Sequence, residues 1–329
     1  MIQARWWTSE SDGDITCHLC PHTCRIADGK SGRCRARSNR KGVLYADTYG
    51  RTVTVNVDPI EKKPLYHFLP ASDILSIGHN SCNLSCRFCQ NASISQETVN
   101  TSPIPTDKIP GLCRRYSAKS VAFTYTEPVT GLEWVIDVAK VLKDEGIRTV
   151  LVTNGYVNPE PLQEAIPFID AMNIDLKAFT EDFYKSVCGA TLQPVLETIR
   201  LAVEHCHVEL TTLLVTGEND SEAEIRALVD FVADLNPDIP LHFSRYFPQY
   251  RMPNPPTPPE TLSMARDIAR NRMRYVYIGN ISIPGGADTV CPQCGNLLVT
   301  RSGYSTRIVG LKASTCARCG MSIPGVWDV

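Results

Sequence analysis

The chain has 329 residues, 43% of them hydrophobic and 21% charged, which is a globular composition long enough for two or three domains and rules out a disordered chain. Thirty-three basic against 35 acidic residues leave a net charge of −2, which argues against a protein built to grip nucleic acid. No apolar run approaches the roughly 20 residues of a membrane span, and residues 1–13 lack an apolar signal core. The expected compartment is therefore the cytoplasm, where 14 cysteines read as metal ligands rather than disulfides.

From the amino end, Cys17, Cys20, Cys24 and Cys34 form a four-thiol set in a loop-rich stretch. Such a set can close a tetrahedral zinc site that staples a small module, or anchor an auxiliary [4Fe–4S] cluster; the full complement of protein ligands favours zinc. His18 and His22 lie between them as spare ligands or solvated loop residues. Residues 25–41 hold seven basic side chains against Asp28 alone, a pattern expected of a solvated face. The segment Asp58-Pro-Ile-Glu-Lys-Lys-Pro-Leu-Tyr-His-Phe68 follows, mixing charge with aromatics. It is expected either to line a substrate opening or to pack across the bottom of the next domain. Residues 1–71 are read as this cysteine-rich module with its extended segment.

Residues 72–283 alternate short apolar runs with amphipathic segments. Strands are predicted at 74–78, 120–125, 148–153, 171–175, 207–215, 239–244 and 275–279, each rich in Val, Ile, Leu or aromatics as buried parallel strands are. Between them, Leu132, Val135, Ile136, Ala139 and Leu142 share one helical face, and Ser221 with Glu224 makes a capping box. Repeated strand–helix units predict an α/β domain with right-handed crossovers, a full or partial (β/α) barrel. Barrel chemistry sits where the strands end. The polar residues there are Glu127, Asn154, Asp175, Lys177, Arg245 and Asn280. Residues 248–259 hold six prolines, expected to act as a stiff spacer or a lid edge. Cys113, Cys188 and Cys206 stand alone and read as small buried apolar residues.

Residues 284–329 contain Cys291-Pro-Gln-Cys294-Gly and Cys316-Ala-Arg-Cys319-Gly. Paired CxxCG knuckles signal a zinc ribbon or a rubredoxin-like iron site, with zinc favoured.

The chemistry-bearing motif is Cys82-Asn-Leu-Ser-Cys86-Arg-Phe-Cys89, at the end of the first predicted strand. Three thiolates this close on one loop can each hold one iron of a [4Fe–4S] cube and leave the fourth iron without a protein ligand. A zinc site would want a fourth nearby ligand, and His79 is the only local candidate.

This loop, with Phe88 before its third cysteine, resembles that of radical S-adenosylmethionine enzymes. Thr153-Asn154-Gly155 and Asp175-Leu176-Lys177 are similar to motifs of the glycyl-radical-enzyme activases, pyruvate formate-lyase activase among them. The resemblance implies that Cys82, Cys86 and Cys89 bind the cluster and that S-adenosylmethionine chelates its open iron. Lys177 would then meet the methionyl carboxylate and Glu127 the amino group. Asn154 and Asp175 would meet ribose or methionyl polar atoms, Phe88 the adenine, and His242 would match an activase cofactor-contacting histidine. Thr124-Tyr125-Thr126-Glu127 departs from the activase double-glycine–glutamate element, and Val152 from its acidic position, which puts the activase substrate in doubt.

Cys17-His-Leu-Cys20-Pro-His-Thr-Cys24, Val57 to Phe68, Cys89-Gln-Asn-Ala-Ser-Ile-Ser-Gln96 and the final Gly325-Val-Trp327 resemble the radical enzyme of the AmmeMemoRadiSam system. That resemblance implies AMMECR-like and Memo-like companion proteins, together with an electron donor such as flavodoxin or ferredoxin. The expected function is hydrogen abstraction by a 5′-deoxyadenosyl radical from a small molecule. The alternatives are a glycyl radical enzyme activase and a non-catalytic redox scaffold that only holds metals.

Overall fold

The computed structural model describes residues 1–328. At its centre is a sheet of eight strands. Seven of them, Asp73–Gly78, Ser120–Phe123, Arg148–Thr153, Ala171–Asp175, His207–Leu214, Leu241–Arg245 and Val276–Gly279, run parallel in sequence order. The eighth, Thr54–Pro59, pairs antiparallel with the first parallel strand. All seven predicted strands are present, and the two edge strands do not pair with each other, so the barrel is partial. Strand Thr54–Pro59 starts ahead of the 58–68 segment, within residues read as the amino-terminal module, yet it extends the barrel sheet.

Alternation along the strands separates two cores. Leu75, Ile77, Val121, Phe123, Leu151, Met172, Leu210 and Phe243 face outward into the main cluster shared with the helices. Helices Leu132–Asp144, Gln193–Val203, Glu222–Leu235 and Pro259–Arg270 each bury one apolar stripe there. The Ser221 hydroxyl caps the third of these by accepting from the Glu224 backbone amide at 3.3 Å, as its sequence pattern predicts. The inner face is apolar at one end, where Ile74, Ala122, Val150 and Ala171 pack on Ile60, Leu65, Phe68 and Leu69. The 58–68 segment therefore plugs the bottom of the barrel.

Glu209, fully buried inside the barrel, holds the plug in place. Its carboxylate accepts from the backbone amides of Tyr66 and His67 at 2.9 and 2.7 Å and meets the Nε2 atoms of His207 and His242 at 3.0 and 2.7 Å. Despite its burial, these partners hold Glu209 well below the usual carboxylate range. His67 is buried, bridging the Pro324 carbonyl and the Tyr277 hydroxyl, and burial pushes its pKa down to about 3.

The two ends of the chain dock on different elements of this body. The amino-terminal module is two small antiparallel sheets whose residues join the main core. It is fixed to helix Leu132–Asp144 by the buried pair Arg37–Glu133, with both carboxylate oxygens 2.6 Å from one guanidinium nitrogen. The carboxy-terminal module packs its own small core, including Leu298, Val299 and Ile323, against Tyr275 and Tyr277 of the last strand region. Its tail pairs with the plug: Leu69 donates to the Val326 carbonyl and Val326 to the His67 carbonyl, both at 2.7 Å.

Candidate active site

At the carboxyl ends of the strands lies a cavity of about 540 Å³. Its wall brings together Cys82, Cys86, Cys89 and Phe88 from the cysteine loop, Glu127, Asn154, Asp175 and Lys177 from the next three strand ends, and Asn280 from the last. His242 is not on this wall. It is buried below, bonded to Glu209 and edge-on to Tyr66, because its position on the strand points it into the packed lower barrel. Arg245 also stays off the wall, its Nε donating to the Thr257 carbonyl at 2.8 Å.

The cysteine loop is fastened from several sides. Ser85 and Arg87 donate backbone bonds to the Cys188 and Val187 carbonyls at 2.9 and 3.0 Å, and Arg251 of the proline-rich loop donates to the Arg87 carbonyl at 2.9 Å. Residues 248–259 thus brace the loop. Gly189, at φ +69°, has the Arg33 guanidinium and Ser85 hydroxyl so close that a Cβ there would sit 2.4 and 2.5 Å from them. Arg33 donates to Ser85 Oγ at 3.2 Å and Arg35 to the Ser95 carbonyl. Arg25 and Arg40 pair with aspartates but stay exposed, as do Lys30 and Lys41, so most of the basic run lies on a solvated face as expected, while Arg33 and Arg35 reach toward the cysteine loop and Arg37 is buried. Cys188, read as an isolated apolar residue, packs beside the Cys86 thiol but does not line the cavity.

Each thiol has a nearby donor or partner. Leu84 N lies 3.4 Å and Asn154 Nδ2 3.7 Å from Cys82 Sγ, and Ser95 Oγ lies 3.2 Å from Cys89 Sγ. The three sulfurs do not draw together within 4.8 Å as a set, and among the described residues no other cysteine and no histidine lines the cavity. Separated thiols on one wall suit a multi-iron cluster with an open corner better than a single ion.

Glu127 accepts from Thr153 Oγ1, the Asn154 amide and the Val129 amide at 2.6, 2.8 and 3.0 Å. Burial nevertheless pushes its pKa up to about 7. Burial opposes the charge of Lys177, but Asp175, 2.8 Å away, holds its pKa well above the lysine range. Tyr125 adopts φ +68°, a conformation that costs a side chain some strain. Its carbonyl accepts from Asn91 at 2.6 Å and its hydroxyl donates to Asp58 at 2.5 Å, which anchors it there. Other wall residues come from further away: Lys62 and Lys63 from the 58–68 segment, which thus lines the opening as well as packing below it, and, unmarked in the sequence, Thr211 and Ser244 from strands and Tyr304 from the carboxy-terminal module.

The two end sets differ. Cys291 and Cys319 sulfurs are 3.6 Å apart, Cys294 and Cys316 are 3.7 Å apart, and all four lie within 4.8 Å of one another. Gly295 and Gly320, both at positive φ, let each knuckle turn back, donating to the Cys291 and Cys316 carbonyls at 2.9 Å. This set can hold one metal ion. Cys17, Cys20, Cys24 and Cys34 surround a common small cavity, but no three of them come within 4.8 Å of one another. The tight single-ion cage favoured from their spacing is not formed.

Residues 76–232 match the family described as "Radical SAM superfamily". The chain is 42% identical over 332 residues to "Uncharacterized protein MJ0808" of Methanocaldococcus jannaschii, covering 98% of this chain and 99% of that one. It is 25% identical over 161 residues to the "Pyruvate formate-lyase-activating enzyme" of Clostridium pasteurianum, covering 47% and 67%. In fold it is similar to a radical SAM methyltransferase from Sphaerobacter thermophilus, with a TM-score of 0.50 at 14% identity over 90% of this chain and 80% of that one. No helix among the described residues is long and apolar enough to cross a membrane. With its three-thiol loop at the mouth of a partial parallel barrel, the chain belongs to the radical SAM superfamily as a radical SAM enzyme, distantly related to the activating enzymes of glycyl radical proteins.

Proposed function

We propose that this enzyme holds a [4Fe–4S] cluster on Cys82, Cys86 and Cys89 and S-adenosylmethionine beside it, and abstracts hydrogen from a small polar substrate in the same cavity. When bound, cluster and cofactor supply the one-electron cleavage of the sulfonium and the 5′-deoxyadenosyl radical. The chain's own groups position and enclose. Lys177, kept charged by Asp175, would pair with the methionyl carboxylate. Glu127 would meet the methionyl amino group, whose positive charge favours the ionised carboxylate. Asn154 and Asp175 offer polar atoms for the ribose, and Phe88 an apolar surface for the adenine.

The observation that carries this reading is the convergence of three thiols, Glu127, Asn154, Asp175 and Lys177 on one cavity with no fourth thiol or imidazole among the described lining residues. A scaffold that merely stored metal would gain nothing from those groups. A small substrate is favoured over a glycyl radical protein because the plug and the carboxy-terminal module place Lys62, Lys63 and Tyr304 on the same wall. Lys62 and Lys63 both pair with Asp58, at 2.8 and 2.7 Å, so this wall offers hydrogen-bonding groups that suit a polar or hydroxylated molecule, and the double-glycine element of the activases is missing. Zinc in the carboxy-terminal set, a flavodoxin- or ferredoxin-type donor, and AMMECR-like and Memo-like companions belong to the same proposal.

The test is anaerobic reconstitution, reduction with dithionite and measurement of S-adenosylmethionine-dependent 5′-deoxyadenosine. The wild-type chain forms it, Cys86→Ala falls to background, and Lys177→Met binds the cofactor roughly ten- to hundredfold more weakly. Equal product from wild type and Cys86→Ala would overturn the reading. A persistent protein-centred doublet in electron paramagnetic resonance with a glycyl radical protein would establish the activase instead.

A further inference from the structure

The one-electron chemistry supported on Cys82, Cys86 and Cys89 needs an electron from outside the chain, and electron transfer through protein falls off steeply with distance. A donor must therefore dock where the chain covers these thiols most thinly. One side of the loop faces the cavity that cofactor and substrate would fill, and on another Asn83 rests against the amino-terminal cysteines. The outer turn of the loop remains. Cys86 and Phe88 are buried there, but Ser85 and Arg87 are exposed, so the surface lies one residue from a ligating cysteine.

Three other segments meet that turn. The π-helical turn Tyr184–Cys188, whose Cys188 and Val187 carbonyls accept from Ser85 and Arg87, carries the exposed Lys185. The amino-terminal module brings the exposed Arg33 to Ser85 Oγ at 3.2 Å. The proline-rich loop brings Arg251, whose amide donates to the Arg87 carbonyl, and with it Phe247 and Tyr250, 48% and 41% exposed. The Arg251 guanidinium lies 4.9 Å from the centre of the Tyr250 ring. Tyr250 sits at φ +57° in a turn closed by Gln249 and Met252, a strained conformation for an aromatic residue that only holds a ring in solvent.

The charges here are uncompensated. Lys185 meets Glu181 only loosely, at 3.9 Å, and among the described residues no carboxylate pairs with Arg33, Arg87 or Arg251. Four cations from four segments thus surround one loop in a chain whose net charge is −2. Arginines interleaved with exposed aromatic rings are the composition of a contact surface rather than of a merely solvated one. A second copy of this chain does not suit the face, because a twofold contact would set like charges against each other. An acidic partner does.

We propose that this face, centred on Arg87 and ringed by Arg33, Lys185, Arg251, Phe247 and Tyr250, is the docking surface for an acidic one-electron carrier protein of the flavodoxin type. In the transfer, the carrier's flavin hydroquinone loses one electron and becomes the semiquinone. The cluster gains that electron, passing from the 2+ to the 1+ state, and no bond is formed or broken. The inference rests on the proposed function for the use of the electron; the docking itself has its own readout.

The experiment uses the full chain, reconstituted anaerobically and driven either by reduced flavodoxin or by reduced methyl viologen, a small cation to which a basic face gives no advantage. Lys185→Glu/Arg251→Glu is expected to slow flavodoxin-driven 5′-deoxyadenosine formation at least about tenfold and to leave the viologen-driven rate unchanged. Raising salt from about 50 to about 300 mM should slow the wild-type reaction severalfold with flavodoxin and not with viologen. Independently of turnover, carbodiimide coupling of carboxylates to amines should join flavodoxin to Lys185, read by peptide mass spectrometry. An unchanged flavodoxin-driven rate in the double variant, or coupling only at other lysines, would overturn the docking surface. If the double variant slows with both donors, its cluster has been disturbed, and the salt dependence and coupling of the wild-type chain decide. An AMMECR-like or Memo-like protein that couples to Lys185 where flavodoxin does not would also overturn the proposal. Wild-type chain that cleaves no cofactor with either donor would sink the proposed function, and the docking surface would then stand or fall on the Lys185 coupling.

Discussion

The two ends of this chain present the same number of clustered cysteines and arrive at different thiol geometries. At the carboxy terminus, two CxxCG knuckles approach each other across a small sheet, and glycines at positive φ turn each backbone back toward its sulfurs. All four thiols meet, and the local turn largely determines the outcome. At the amino terminus the thiols come from a looser series and rest against the barrel, with Arg37, Arg33 and Asn83 completing the wall. Thiol number therefore says little about what is held; the spacing of sulfurs and the polar groups around them say more.

That contrast can be broken or sharpened by measurement. The largest effect is expected at the carboxy terminus: Cys294→Ser should release the single ion from the set. Because structural metal binding contributes on the order of 10 kcal/mol, residues 284–328 should then lose hydrogen-exchange protection. Retained protection there with no ion bound would show that the module's small core suffices. Next, Glu133→Gln removes the carboxylate paired with buried Arg37 and should destabilise the amino-terminal module by about 3–5 kcal/mol in urea unfolding. If the amino-terminal set were held only by its metal, chelator-treated wild type and variant would unfold alike.

A smaller effect concerns pH. Burial lowers His67 to about 3 and His79 to about 4, whereas both titrate near 6.5 in the unfolded chain. Below pH 6.5 the unfolded state binds more protons, so stability is complete above that pH and declines as it falls toward the native values. At pH 5 each histidine should cost about 2 kcal/mol. His67→Gln keeps a donor and an acceptor but does not titrate, and should remove about half of the decline attributed to the pair in pH-dependent denaturation. An unaltered slope would show that His67 does not contribute. The smallest effect, about 1 kcal/mol, is expected for Ser221→Ala, which removes a helix cap in the barrel body. Metal content at both ends should stay unchanged; a change would show that the modules are coupled to the barrel through that helix.

Much of the site was legible because its parts are local. Cys82, Cys86 and Cys89 share one loop, and Glu127, Asn154, Asp175 and Lys177 follow strands whose apolar runs are plain in the chain. What escaped came from distant segments. Tyr304 reaches the cavity only because the carboxy-terminal module folds over its edge, and Thr211 and Ser244 only because their strands end beneath it. His242 was drawn to the site by family analogy, but it lies lower on its strand, where the charge of Glu209 captures it. The basic run at 25–41 is mostly exposed, as its charge predicts, but charge alone does not disclose the partners Glu133, Ser85 and Ser95 that Arg37, Arg33 and Arg35 find.

By itself, the amino-acid sequence determined the alternation of strand and helix, the three-thiol loop with its bare fourth position, and the paired knuckles. Each of these depends on residue types a few positions apart, where period, turn chemistry and ligand spacing act directly. Only the tertiary structure decided that the barrel stays partly open, that the 58–68 segment seals its bottom, and how far apart the amino-terminal sulfurs stand. Those outcomes depend on which buried surfaces and charges from remote segments satisfy one another, and local spacing does not encode that.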